Sequence, residues 1–195
     1  MNALLLVFLW LLSDSVAFRQ LSRPHRGGPQ SQLYAVDVMI NGLPGPMALE
    51  TAIACADRGY NVLAVGFTGP ATIEKSIVVE SMKQKTKVEV QLVKGPGIEG
   101  SNAAEQLAVL KRQYPELVIV DYTHPSATLN NVKCYVESSC DFVMGTTGGD
   151  PELIMKALAG GRDMVAVMAP NMAKQIVAVQ AAILEMSKRF PGSFR

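Results

Sequence analysis

The sequence has few aromatic residues and few cysteines. Aromatic residues make up 6% of the 195 residues and hydrophobic residues 49%, so a core has to consist mainly of aliphatic side chains. Cys55, Cys134 and Cys140 are an odd and widely spaced set. Such a set excludes a disulfide framework and supplies no pair of metal ligands. We therefore expect reduced, mostly buried cysteines and no metal site.

An excess of charge is also lacking. Eighteen Lys and Arg residues oppose 17 Asp and Glu residues, which leaves a formal net charge of +1. A general nucleic-acid-binding protein needs clustered basic residues to replace the counterions of the phosphates. We therefore expect no nucleic acid as a partner. The length allows one domain, or one domain and part of another.

The N-terminal residues have the composition of a targeting leader. Residues 3–12 are an unbroken apolar run, short for a membrane span, and Ser15-Val16-Ala17 has the small-x-small pattern of a secretory cleavage site. Residues 1–17 are therefore predicted to be a signal peptide rather than a membrane anchor. Residues 18–35 contain no acidic residue and are rich in Arg, Ser, Pro and Gly, which is typical of a transit peptide.

A signal peptide followed by a transit-like segment, with Phe18 at the junction, resembles the bipartite leaders of algae with secondary plastids. The leader predicts import into the plastid (the chloroplast stroma), and plain secretion is the alternative. After removal of the leader, no membrane is expected as a partner.

Short apolar runs alternate with amphipathic segments from residue 36 onward, which predicts a doubly wound α/β domain with a parallel sheet covered on both faces. The predicted strands are 36–40, 61–65, 117–120, 142–144 and 164–168, with an antiparallel excursion at 77–79 and 88–92. The predicted helices are 47–58, 103–114, 126–138, 151–159 and 172–190. We assign residues 36–175 to this domain, and residues 176–195 to a linking helix and the start of a second domain.

Ligands of such sheets bind beyond the carboxyl ends of the strands, so the residues there are candidates for a site. Gly42 and Gly45 follow the first strand, where glycines let the backbone approach a pyrophosphate. The second strand is followed by residues 66–69 without a carboxylate to hold a ribose 2′-hydroxyl, which favours NADPH, although no basic residue stands there for a 2′-phosphate.

The other strand ends carry small and hydroxyl side chains. Thr123 follows the strand that ends near Asp121, and His124 beside it is expected to be a solvent-facing loop residue. Residues 145–150 form a donor-rich turn in which Asp150 is also suited to be an N-cap. Asn171 is either the N-cap of the last helix or a polar contact at the nicotinamide end of the cofactor cleft.

These motifs, in this order, resemble the dihydrodipicolinate reductases, also called 4-hydroxy-tetrahydrodipicolinate reductases, and especially the plant type. The likeness covers about residues 36–195. The matching residues are Asn41, Gly42, Gly45 and Met47, then residues 120–123, 142–150, 169–172 and 174–175, and finally residues 190–192 with Phe194.

The resemblance implies a Rossmann-like domain of an oxidoreductase that binds NADPH or NADH. It implies hydride transfer to a small cyclic dicarboxylate, in lysine biosynthesis through diaminopimelate, and a homo-oligomer built through the other domain. The residues expected at the cofactor are Gly42, Leu43, Pro44, Gly45, Pro46, Met47, Phe67, Asp121, Thr123, Gly145, Thr146, Thr147, Ala169, Pro170, Asn171 and Met172.

The sequence departs from the family pattern in two places. Pro46 and Ala48 stand where the family usually has a basic residue and a glycine, so an amide donor and a charge near the phosphates are lost. The family's catalytic His-His pair, its Lys and its Ser-Gly-Thr substrate loop belong to a second domain, and His25 and His124 do not form such a pair. We therefore name no catalytic residue and expect this chain alone to be inactive.

Two other functions are considered. One is a non-catalytic short protein that binds a nucleotide or a partner chain, and the sequence does not separate it from the reductase. The other is an unrelated short-chain reductase, which requires a Tyr-x-x-x-Lys pair that occurs nowhere in the sequence.

Overall fold

The structure, a computed structural model, describes residues 19–20, 36–146, 148–161, 163–169 and 173–193. The strands are β1 (Arg19–Gln20), β2 (Asp37–Asn41), β3 (Asn61–Val62), β4 (Val65–Thr68), β5 (Ser76–Ser81), β6 (Thr86–Lys94), β7 (Val118–Asp121), β8 (Asp141–Met144) and β9 (Val165–Met168). The helices are α1 (Pro46–Asp57), α2 (Ala103–Gln113), α3 (Thr128–Glu137), α4 (Pro151–Ala159) and α5 (Lys174–Arg189), with a 3-10 turn at Pro125–Ala127.

The strands form two sheets, in the orders β1-β9-β8-β7-β2-β3 and β4-β6-β5. Strands β3, β2, β7, β8 and β9 are parallel, and β1 is antiparallel to β9. This topology confirms the predicted doubly wound α/β fold. The antiparallel pairing of β5 with β6 confirms the predicted excursion.

The single strand predicted over 61–65 is wrong, because the chain there changes sheets. The N–H of Leu63 still donates to the Val38 carbonyl, whereas the carbonyl of Ala64 accepts from Gln91 of β6. From Val65 onward the chain pairs with β6, so Phe67 lies in a strand and not in a loop after one.

Two apolar cores lie on the two faces of the sheet. Helices α2, α3 and α4 cover one face, where Leu107, Ile119, Val132 and Phe142 are fully buried. On the other face α1 packs against β2 and the β5–β6 hairpin through buried alanines at 48, 52 and 56.

Among the described residues, α1 and the β5–β6 hairpin cover only part of the second face. Val118, Val120, Val143, Val165 and Val167 alternate with buried residues along β7, β8 and β9, and each is half-buried. They therefore form an apolar strip next to the face that α1 occupies.

Helix α5 projects an apolar stripe into solvent. No side chain described between residues 175 and 189 is fully buried. Ile176, Val179, Ile183 and Met186 are each 41–55% exposed and recur at helical spacing. For this linking helix the sequence also predicts one face packed on the sheet, and among the described residues that prediction is wrong.

Most of the predicted leader lies outside the described residues. Within it, only Arg19–Gln20 is described, as the two-residue strand β1 paired with Val165 and Ala166. Among the described helices, none is both long enough and apolar enough to cross a bilayer.

The stripe on α5 predicts concentration-dependent self-association, because exposed apolar area is unfavourable by about 25 cal/mol per Å². Ile183→Glu should lower the apparent mass measured by light scattering at rising protein concentration. Ala178→Glu, which adds the same charge on another side of the helix, should leave the mass unchanged. A monomeric wild-type chain at every concentration would contradict this prediction.

Candidate functional site

The candidate site lies at the carboxyl ends of β2 and β7. From β2 the chain moves to β3 on one side and later returns to β7 on the other, so β2 and β7 flank the topological switch point where doubly wound sheets bind ligands. Asn41 and Asp121, the last residues of these strands, are direct cross-strand partners. Met144 is the partner of Asp121 on the next strand.

The glycine turn after β2 is pressed against the loop after β7. Gly42 has a φ of +99°, and a Cβ at this position would lie 2.5 Å from the carbonyl oxygen of Tyr122 and 2.9 Å from the nitrogen of Thr123. Only glycine fits there without strain. The Gly42 N–H donates to the Phe67 carbonyl at 2.8 Å, and the Gly45 N–H donates to the Gly42 carbonyl at 2.9 Å.

The start of α1 fits an anionic group. No side chain caps this helix, which begins with Pro46 after Gly45. The Leu49 N–H is bonded to the Gly45 carbonyl and Pro46 has no N–H, so the free amides of the first turn are those of Met47 and Ala48. An uncapped helix start attracts phosphate through these amides and the helix dipole. The donor set therefore fits a pyrophosphate, with fewer donors than a turn without prolines.

Most of the other candidate residues in and near this turn have structural roles. The side chain of Leu43 is fully buried, and its carbonyl accepts from the Thr68 hydroxyl at 2.7 Å. Pro44 follows through a cis peptide bond. Met47, in the first turn of α1, is 58% exposed. Phe67 is fully buried in the core.

Asp121 is the centre of a buried hydrogen-bond network. Its Oδ1 accepts from the N–H and the hydroxyl of Thr123, both at 2.7 Å. Its Oδ2 accepts from the Tyr135 hydroxyl at 2.6 Å and from Nδ2 of Asn131 at 2.9 Å. Asn41 Nδ2 in turn donates to the Tyr135 hydroxyl at 2.7 Å. Asp121, Asn41 and Tyr135 are 0% exposed.

This network accounts for the buried carboxyl group of Asp121. No ion pair among the described residues includes Asp121. Four donors saturate its two oxygens, and hydrogen bonds to charged groups contribute roughly 1.5–3 kcal/mol each. Since Asp121 has no exposed surface, it is placed to shape the Thr123 loop rather than to contact a cofactor.

The loop after β8 joins the same site. The Gly145 N–H donates to the Asp121 carbonyl at 3.0 Å, and the Thr146 hydroxyl donates to the Thr123 carbonyl at 2.7 Å. A Cβ at Gly145 would collide with the ring of Tyr122. Buried Ala169 follows β9 and donates its N–H to Met144. Thr147, Pro170, Asn171 and Met172 lie outside the described residues.

The structure thus gathers most of the described candidate residues at the carboxyl ends of the strands, with Phe67 buried in β4 of the second sheet as the exception. It also gives a role to three residues that were not among the candidates. These are Asn41, Asn131 and Tyr135. The available signal was the spacing of Asn131 and Tyr135, which lie one turn apart on the buried face of the helix.

Other residues considered from the sequence have ordinary structural roles. His124 is exposed and caps the 3-10 turn, and Asp150 caps α4 by accepting from Glu152 N–H at 2.9 Å. All three cysteines are free, as predicted. Burial raises the pKa of Cys134 and Cys140 to about 11, so neither is a thiolate at neutral pH. The described residues contain no cluster of His, Cys, Asp and Glu that would hold a metal ion.

A glycine turn on an uncapped helix start, at the switch point of a doubly wound sheet, defines the class of Rossmann-like nucleotide-binding domains. A sequence profile described as "Dihydrodipicolinate reductase, N-terminus" matches residues 36–172. The chain belongs to the dihydrodipicolinate reductase family.

Two curated plant relatives are similar to this chain. "Probable 4-hydroxy-tetrahydrodipicolinate reductase 2, chloroplastic" of Oryza sativa subsp. japonica is 32% identical, over 83% of this chain and 46% of the relative. "4-hydroxy-tetrahydrodipicolinate reductase 2, chloroplastic" of Arabidopsis thaliana is 35% identical, over 82% of this chain and 42% of the relative. The chain thus spans less than half the length of these two relatives.

Among solved structures, "Crystal structure of RSP in complex with beta-NAD+ and operator DNA" overlaps 83% of this chain and 63% of its own chain. The TM-score of 0.42 and the identity of 10% are too low to support an argument.

The close approach at Gly42 predicts that Gly42→Ala lowers the free energy of unfolding by about 2 to 4 kcal/mol, through φ strain and a clash with backbone. Urea unfolding measures this loss. Gly69→Ala is the matched control, because its Cβ would meet nothing within 4 Å and its φ is not positive. Equal stabilities of the two variants would contradict the packing at Gly42.

Proposed function

We propose that this chain is the cofactor-binding part of an NAD(P)H-dependent 4-hydroxy-tetrahydrodipicolinate reductase, an oxidoreductase of lysine biosynthesis through diaminopimelate. The observation that carries the proposal is the uncapped start of α1 beside the glycine turn at the switch point. Membership of the family and the names of the plant relatives support it. The substrate of the complete enzyme would be a small cyclic dicarboxylate, and its assembly a homo-oligomer.

The described residues suit three tasks toward a dinucleotide. The amides of Met47 and Ala48 would bind the pyrophosphate, and Gly42 allows the backbone to come close. Thr123 and Thr146, in the loops after β7 and β8, would line the cofactor crevice at the switch point. When bound, the dinucleotide would supply the hydride. The acid that protonates the product would come from a domain other than this one.

The residues beyond β4 favour NADPH over NADH. Thr68 is the last residue of this strand, and its hydroxyl donates a hydrogen bond to the Leu43 carbonyl. The same hydroxyl lies 2.6 Å from the hydroxyl of Thr72. Neither position carries a carboxylate that would hold a ribose 2′-hydroxyl or repel a 2′-phosphate. A preference for NADPH is therefore part of the proposal.

We also propose that the protein acts in the plastid stroma after removal of residues 1–35. Two findings support this location, namely the names of the plant relatives, which include "chloroplastic", and the composition of the leader.

Binding of the cofactor tests the proposed function directly. The 195-residue chain should bind NADPH with a Kd of roughly 10 μM to 1 mM, because α1 offers two amides and no basic residue. NADH should bind more weakly, and the dicarboxylate substrate should not be reduced. Fluorescence titration and loss of NADPH absorbance measure these outcomes. Failure to bind at several millimolar NADPH would refute the cofactor role, and turnover would refute the expected inactivity.

The leader can be tested separately in an alga with secondary plastids. Residues 1–35 fused to a fluorescent protein should direct it to the stroma, and Phe18→Ser should stop it outside the inner plastid membranes. Leu21→Ser, in the transit-like segment, is the control and should still be imported. Stromal delivery of the Phe18→Ser fusion would show that the junction is not read at this residue.

A further inference from the structure

The network around Asp121 connects one helix to the loops on both sides of the switch point. The Tyr135 hydroxyl donates to Asp121 and accepts from Asn41, so one group on α3 is bonded to the last residues of β2 and β7. The Tyr135 ring packs on Phe142 of β8 with centroids 5.2 Å apart. Burial, followed by the charge of Asp121, raises the pKa of Tyr135 well above its usual value, so the hydroxyl keeps its proton.

Asn131 extends the network to the crevice. Its Nδ2 donates to Asp121 Oδ2 and to the Thr123 hydroxyl, each at 2.9 Å. The Oδ1 of the same amide is buried and has no hydrogen-bond partner among the described residues. The side chain thus faces Asp121 and Thr123 even though this orientation leaves an acceptor unsatisfied, which is an unfavourable arrangement for a group that only fills the core.

We infer that Tyr135 and Asn131 are positioning residues for the dinucleotide, although neither reaches the crevice. This inference rests on the proposed function. Each residue is bonded to the end of a strand from which a crevice loop departs: Asn41 precedes the glycine turn, and Asp121 holds Thr123. Thr123 in turn accepts from Thr146 of the third loop. The two residues therefore fix three crevice loops in one arrangement before the cofactor binds.

Physical principles separate this role from simple core packing. A buried polar network contributes little more stability than a well-packed apolar core, but it specifies one geometry. Binding of a ligand gains from loops that are already ordered. Loss of the network should therefore weaken dinucleotide binding more than an equal loss of stability elsewhere in the same core.

The test compares NADPH affinities of the 195-residue chain and three variants. Tyr135→Phe removes only the hydroxyl and should weaken NADPH binding by about tenfold, the effect of roughly one hydrogen bond. Asn131→Ala should act in the same direction. Val132→Ala, on the same helix and in the same core, is the control. All three variants should lower the melting temperature by a few degrees, but Val132→Ala should change the Kd for NADPH by less than about twofold.

Each outcome decides the inference. If Tyr135→Phe does not fold, Asn131→Ala carries the same comparison. Wild-type affinity in the folded network variants would overturn the positioning role and leave the proposed function intact. An equal loss in Val132→Ala would show that the residues only stabilise the helix, and would overturn the inference too. No binding by the wild-type chain would refute the proposed function and, with it, this inference.

Discussion

The pairing of Asn41 with Asp121 is the contact on which the site depends. These residues end the neighbouring strands β2 and β7, lie side by side in register, and are buried at the point where the strand order reverses. Two polar side chains in such a place are unfavourable unless every group is bonded. Tyr135 meets this requirement by contacting both, which ties helix α3 to the strand ends. The position of the crevice loops follows from this arrangement.

Apolar contacts stabilise this domain, and polar contacts set the positions of its loops. The core under α2, α3 and α4 contains more of the buried apolar residues than the core under α1. Such contacts stabilise the fold without dictating where a loop lies to within a fraction of an ångström. Hydrogen bonds donated to the Asp121 carboxylate and the close packing of Gly42 on Tyr122 set that finer geometry.

The turn that faces the expected phosphates offers fewer free N–H donors than its position suggests. The N–H of Gly42 donates to a carbonyl of β4 and the N–H of Gly45 donates within the turn, so neither is free for a phosphate. Pro44 and Pro46 have no N–H to donate. The N–H groups of Met47 and Ala48 remain free. The helix dipole favours an anion beside them, and no capping side chain occupies this position. This balance explains why we expect specific but weak cofactor binding.

The sequence by itself determined the order of strands and helices, because each depends on local hydrophobic spacing, Pro or Gly. It also located the ends of β2, β7 and β8 that form the site, since parallel strands place their carboxyl ends on one edge. It did not reveal the change of sheet at Leu63 and Ala64, or the roles of Asn41, Asn131 and Tyr135. Those depend on partners 8 to 94 residues away in the chain, which only the packed structure brings within hydrogen-bond distance.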